Sequence, residues 1–209
     1  MNETLTLIEQ ERIIGIIRTE TTEQALHVVD AMAGGGMKLI EITCTVPDYV
    51  TVIKRIKKHK GVTPGAGTVT DMERVKAVVE AGVKFVVAPN IDEDVIAYAK
   101  EAGCVVMPGA ATPTEIVRAW RLGADVVKVF PINALGGSSF LGLIKGPLPD
   151  IRVMPTGEIE LEQIDEYLRA GAFCVGVGTA IIENHALEDE AWERIADYTR
   201  AALVRARSV

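Results

Sequence analysis

The sequence has little of what several classes of function demand. Its three cysteines, Cys44, Cys104 and Cys174, form no CxxC pair, and each lies in or at the end of an apolar run. An odd, unpaired set argues against a disulfide framework and for reduced core thiols of a cytoplasmic protein. The three histidines, His27, His59 and His185, are scattered, and none is paired at metal-ligand spacing. Clustered positive charge is also scarce. The formal net charge is -7 and the one basic run is KRIKKHK, Lys54 to Lys60, which reads as a solvated helix end. An electrostatic footprint for nucleic acid is therefore missing. The N-terminal apolar run, Ile13 to Ile17, is broken by Gly15 and is too short for a signal peptide or membrane span. A soluble, intracellular protein is expected.

What is present is a repeated phrase. With 48% hydrophobic residues in 209, the chain can bury one good core and is expected to form one domain over 1–209. A helical stretch, a small residue with glycine, and a short apolar run recur at Ala33, Glu80, Glu101, Arg121 and Arg169. From Gly82 to Gly103 to Gly123 the steps are 21 and 20 residues, the length of one helix plus one strand. Gly82, Gly103, Gly123 and Gly171 stand where a helix ends and the chain turns back.

Eight apolar runs read as strands: Ile13–Arg18, Leu39–Thr43, Thr63–Gly67, Phe85–Ala88, Val105–Pro108, Val126–Phe130, Arg152–Pro155 and Phe173–Val177. Near-continuous apolar strands without polar alternation suit a parallel sheet covered by helices. An open doubly wound sheet predicts a GxGxxG turn after the first strand, but RTETTEQA follows there, without glycine. The expected fold is α/β, a compact (β/α)8 barrel with an extra N-terminal helix.

In such a barrel, chemistry gathers at the carboxyl ends of the strands. There the sequence places Arg18, Glu41 and Thr43, Thr68, Pro89, Lys128, then Thr156, Gly157 and Glu158, and finally Gly178 and Thr179. By period two, Leu39, Glu41 and Thr43 share a face, as do Val126, Lys128 and Phe130. If both faces point inward, a carboxylate and an amine meet inside the barrel.

A lysine among valines loses solvation of its charge, so its pKa falls and neutral amine exists near neutral pH. A neutral amine adds to ketones, and the resulting iminium is an electron sink. Moving protons on and off the carbinolamine is work for one nearby carboxyl group. Lys128 and Glu41 form that minimum set. The same pattern also suits a buried ion pair or a lysine that snorkels from a strand end, and an acid at a strand end can cap the next helix.

At these residues the sequence resembles the 2-keto-3-deoxy-6-phosphogluconate (KDPG) and 4-hydroxy-2-oxoglutarate (KHG) aldolases. The matching segments are IEIT-x-x-VP at Ile40–Pro47, GAGTVT at Gly65–Thr70, MPGAATPTE at Met107–Glu115, KVFP at Lys128–Pro131, KGPLPDIRVMPTG at Lys145–Gly157 and GVGTA at Gly176–Ala180. They run in order over nearly the whole chain. The resemblance implies a trimeric class I aldolase on a (β/α)8 barrel, cleaving a 2-keto-4-hydroxy acid to pyruvate and an aldehyde, glyceraldehyde 3-phosphate or glyoxylate. It implies that Lys128 forms the Schiff base, Glu41 shuttles protons, Thr68 holds the pyruvyl part and Pro89 lines the site. It implies neither metal nor cofactor.

Two departures qualify that picture. Many family members carry an arginine four residues after the glutamate, suited to fork onto the substrate carboxylate; here Thr45 stands there. Arg18 is the alternative source of charge, unless a salt bridge occupies it. The family's phosphate cup reads PTGG, followed by a helix start and a serine after strand eight; this chain has PTGE, with Thr179 in the serine's place. Two anions about 4 Å apart repel by roughly 4 kcal/mol at an intermediate dielectric, so Glu158 favours an unphosphorylated aldehyde half. Its innocent reading is an acid in the first turn of a helix over GEIELEQIDEYL, favoured by the dipole. Two other classes stand beside the aldolase. One is a barrel isomerase or epimerase of a sugar phosphate, in which Lys128 only neutralises charge; the other is a silent scaffold.

Overall fold

The computed structural model describes residues 2–182 and 191–209. Helix α1 (Glu3–Glu11) comes first, its N-terminus capped by Asn2, whose side chain accepts the Thr4 N–H. Strands and helices then alternate: β1 (Ile13–Ile17), α2 (Thr22–Gly34), β2 (Leu39–Thr43), α3 (Tyr49–Ile56), β3 (Thr63–Gly67), α4 (Met72–Ala81), β4 (Phe85–Val87) and α5 (Glu93–Glu101). They continue with β5 (Val105–Met107), β6 (Gly109–Ala110), α6 (Pro113–Arg121), β7 (Val127–Val129), α7 (Ile132–Leu135) and α8 (Gly137–Lys145). β8 (Val153–Pro155), a 3-10 turn (Leu161–Gln163), α9 (Ile164–Arg169), β9 (Val175–Val177) and α10 (Trp192–Ala206) complete the order. Among the described residues no helix is long and apolar enough to cross a membrane.

The local signals act where the sequence placed them. Gly82, Gly103, Gly123 and Gly171 take φ values of 95°, 78°, 94° and 100°, the left-handed backbone that ends a helix at little cost only for glycine. Helix α6 starts with a capping box between Thr112 and Glu115 and a proline in its first turn, so its first N–H groups are satisfied locally. The basic run begins in the last turn of α3 and continues past it.

All strand pairs are parallel, in the order β5-β4-β3-β2-β1-β9 and β6-β7-β8. The two sheets are one barrel. β5 is the expected strand Val105–Pro108, and β6 extends it beyond the expected end after an interruption at Pro108, which has no N–H for a ladder; its carbonyl still accepts the Lys128 N–H at 2.9 Å. At the other seam, a parallel bridge links Thr156 to Gly176, and the Phe173 N–H reaches the Val153 carbonyl at 2.9 Å. The eight expected strands are all present, most of them a residue or two shorter than their apolar runs.

Burial divides the apolar residues into two layers. One lies between strands and helices and includes Ile17, Ile40, Ile42, Val127 and Val129. The other fills the barrel: Ile14, Leu39, Phe85, Val105, Val126, Met154 and Cys174, closed from below by Leu5 and Ile8 of α1. Because side chains alternate along each strand, the inward set continues upward from Leu39 to Glu41 and Thr43, and from Val126 to Lys128 and Phe130. The floor is apolar and the upper layers are not. The three cysteines are buried and unpaired, as expected.

Candidate active site

The barrel mouth holds a cavity of about 530 Å³, within the range of small-molecule sites. Its walls bring together Arg18, Glu41, Thr43, Thr68, Pro89, Lys128, Thr156, Gly157, Glu158, Gly178 and Thr179, every position that the strand-end argument singled out. Ile16, Phe130, Gly176 and Ile182 also line it. Three of these were legible two residues from an expected lining position; Ile182 carried no signal.

Lys128 comes from the middle of β7, where its backbone is held between β6 and β8. It is buried, with 8% exposure, so it does not snorkel. Its Nζ lies 5.0 Å from the centroid of the Phe130 ring, and no hydrogen bond or ion pair ties it to another described side chain. Burial pulls its pKa below the ordinary lysine value; the Glu41 charge opposes this and the Arg18 charge adds to it.

Glu41, on β2, is 1% exposed, and its Oε2 has no hydrogen-bond partner. Burial raises its pKa above the ordinary carboxylate value, against the opposing pull of Lys128 and Arg18. Both groups are thus driven toward their neutral forms, both line the cavity, and each retains unused hydrogen-bonding capacity. The simple buried ion pair is not what the structure contains.

Glu41 also explains the small residues of β3. Register pairs it with Gly65, and a Cβ at Gly67 would overlap its carboxylate, as one at Gly65 would overlap the Phe85 ring. The glycines of GAG leave room for larger neighbours. Next to them Thr68 takes a φ of 58°.

Arg18 leaves β1 toward the mouth, where its two terminal nitrogens donate to Thr45 Oγ1 at 3.1 Å and Thr68 Oγ1 at 3.2 Å. Thr45 is fixed in turn by Thr43, 2.8 Å between hydroxyls, and Thr43 donates to the Ile17 carbonyl at 3.2 Å. No carboxylate among the described residues pairs with Arg18, so the salt-bridge alternative does not hold. Thr43 lines the cavity, but its hydroxyl is occupied by this chain of contacts. The supporting role of Thr45 was missed by sequence reasoning, which saw only an absent arginine.

Thr156 Oγ1 is buried without a partner, close to where Gly176 lacks a Cβ. Glu158 departs from expectation. It is not in a helix: it has a φ of 51°, Glu160 is extended, and the 3-10 turn begins only at Leu161. Favour from a helix dipole in the first turn is therefore not its explanation. Of the histidines, His27 lies against the Trp192 ring and His59 pairs with Asp30 at 2.8 Å; His185 lies outside the described residues. No three metal-ligating side chains cluster among the described residues.

A family model described as KDPG and KHG aldolase matches residues 5–198. The chain belongs to the KDPG and KHG aldolase family. A 2-dehydro-3-deoxy-phosphogluconate aldolase of Pseudomonas aeruginosa is 33% identical over 202 residues, covering 96% of this chain and 91% of the relative. A KHG/KDPG aldolase of Escherichia coli is 30% identical over 197 residues, covering 93% and 92%. The solved KDPG aldolase of Legionella pneumophila, with pyruvate captured at low pH as a covalent carbinolamine intermediate, has a TM-score of 0.86 at 27% identity and covers 95% of this chain and 97% of that one. In this aldolase family member, the amine and carboxyl therefore sit on a barrel shared with an enzyme that binds pyruvate covalently.

Proposed function

We propose that the protein, as a single barrel domain over 1–209, is a class I aldolase that cleaves a 2-keto-4-hydroxy acid, of the kind KDPG and KHG represent, to pyruvate and an aldehyde. One observation carries the reading: a buried amine, Lys128, faces the same cavity as a buried carboxyl group, Glu41, with an unpartnered oxygen. Neutral Lys128 adds its lone pair to the C2 ketone, and the oxygen takes a proton to give a carbinolamine. Glu41 protonates that hydroxyl, water leaves, and an iminium forms. Loss of the C4 hydroxyl proton releases the aldehyde as the C3–C4 bonding pair moves into the iminium to give an enamine. Protonation at C3 and addition of water then free pyruvate and Lys128. Here the iminium supplies the electron sink.

In this reading Arg18 takes the substrate carboxylate through its guanidinium, presented by Thr45 and Thr68; Thr68 and Pro89 contact the pyruvyl part, and Thr156, Gly157, Gly178 and Thr179 surround the aldehyde end. Arg18→Gln is expected to raise KM for the keto acid about 10- to 100-fold with a smaller effect on kcat, read from steady-state kinetics of pyruvate release. An unchanged KM would remove Arg18 from the carboxylate site.

The homotrimer implied by the resemblance belongs to the same proposal, and sedimentation equilibrium tests it. A cytoplasmic location is supported by the three buried, unpaired thiols. The activity is tested by coupling pyruvate release to a reductase with a panel of 2-keto-4-hydroxy acids. Turnover with any member is expected, and folded protein inactive on all of them would contradict it.

A further inference from the structure

We propose that Glu158 selects substrates whose aldehyde half is uncharged and bears hydroxyls, by placing a free carboxylate where the far end of the substrate lies. This rests on the aldolase reading above. The cavity has an uneven charge layout. Its arginine, Arg18, ends β1 and is held toward β2 and β3 by Thr45 and Thr68. The wall formed after β8 and β9 is lined by Thr156, Gly157, Glu158, Gly178 and Thr179. Neither lysine nor arginine is among the described residues of that wall.

The backbone shows that Glu158 is held in place. A residue with a φ of 51° occupies a conformation that glycine adopts freely and other residues adopt at a cost. The turn is fixed from behind: the Glu158 carbonyl accepts from Asn133 Nδ2, and Asn133 Oδ1 accepts from the Tyr167 hydroxyl at 2.7 Å. The side chain is exposed, and its carboxylate takes no hydrogen bond or ion pair among the described residues. It caps no helix. It is left to solvent and to whatever fills the cavity that Glu158 lines. A carboxylate accepts hydrogen bonds from a polyol's hydroxyls and repels a phosphate.

The test runs the reaction in the aldol direction, with pyruvate and either D-glyceraldehyde or D-glyceraldehyde 3-phosphate. The parent is expected to favour the uncharged aldehyde in kcat/KM. Glu158→Gln and Glu158→Gly are each expected to raise the phosphorylated-to-uncharged ratio about 10- to 100-fold. Raising ionic strength from about 0.01 to 1 M should narrow the parent's preference and not that of the Gln variant. A parent that prefers the phosphorylated aldehyde, with a ratio insensitive to both substitutions and to salt, overturns the proposal. The salt arm needs only the parent, so poor folding of a variant does not remove the test. Reductive trapping of pyruvate alone on the parent separates the two levels: an adduct with an unmoved ratio overturns only the selectivity, and absence of an adduct overturns the aldolase reading beneath it.

Discussion

A Lys128→Met enzyme is expected to lose about five orders of magnitude in kcat, the scale seen when a covalent nucleophile is removed, and to melt about 2–6 °C above the parent. The two effects have one origin. Lys128 is buried against Phe130 without a hydrogen bond, and burial is the largest cause of its lowered pKa. The charged form is therefore less comfortable in the folded chain than in the unfolded one. Between the lowered folded pKa and the ordinary 10.5, the unfolded state binds more protons, so parental stability rises with pH across that window. Below it the full penalty is present. The stabilisation from methionine should thus be largest below the folded pKa and fade as pH approaches about 10.5, so it is larger at pH 7 than at pH 10. Loss of the lysine charge removes one of the two influences that lower the Glu41 pKa, so the carboxyl shifts further toward its neutral form and the gain is opposed less. Paired thermal melts at pH 7 and pH 10 check the sign; a destabilised variant at pH 7 would mean that an ion pair held the site.

Glu41→Gln should keep the fold and lose about 10²- to 10⁴-fold in kcat, the range of general acid–base assistance. The pH profile is the sharper readout. The competent pair carries one proton between the two groups, so the parent's kcat/KM is bell-shaped, with limbs that belong to the pair. Burial raises one group from 4.5 and lowers the other from 10.5, which makes the bell narrower than those values would. With glutamine only Lys128 titrates, and activity should rise to a plateau without the alkaline fall. A variant that keeps the alkaline limb would assign the proton transfer to another group.

Much of this site was legible because a barrel converts strand position into depth. Period two along IEIT and DVVKVFP put Glu41 and Lys128 one layer above Leu39 and Val126, and the apolar floor shows that assignment directly. Gly65 and Gly67 were placed in the expected strand Thr63–Gly67 with no reason for their size, yet the Phe85 ring and the Glu41 carboxylate require them to be small; such a constraint crosses strands and leaves no local trace. The segment after Gly157 misled for a different reason. GEIELEQIDEYL has helical composition throughout, but Ile159 is buried at 2% exposure, and bringing it into the core carries the chain inward before a helix can begin. Arg18 was visible as a charge at a strand end. Its support was not, because Thr45 and Thr68 follow different strands and meet only in the folded barrel.

The central claim is that the Lys128 amine forms a covalent bond with the keto acid. Borohydride reduction in the presence of pyruvate, followed by peptide mass mapping, measures it most directly. A reduced pyruvyl adduct confined to the peptide carrying Lys128, and absent from Lys128→Met, is the predicted result. Folded protein that yields no adduct, or one on another lysine, would contradict the account and return the site to a barrel isomerase or a silent scaffold.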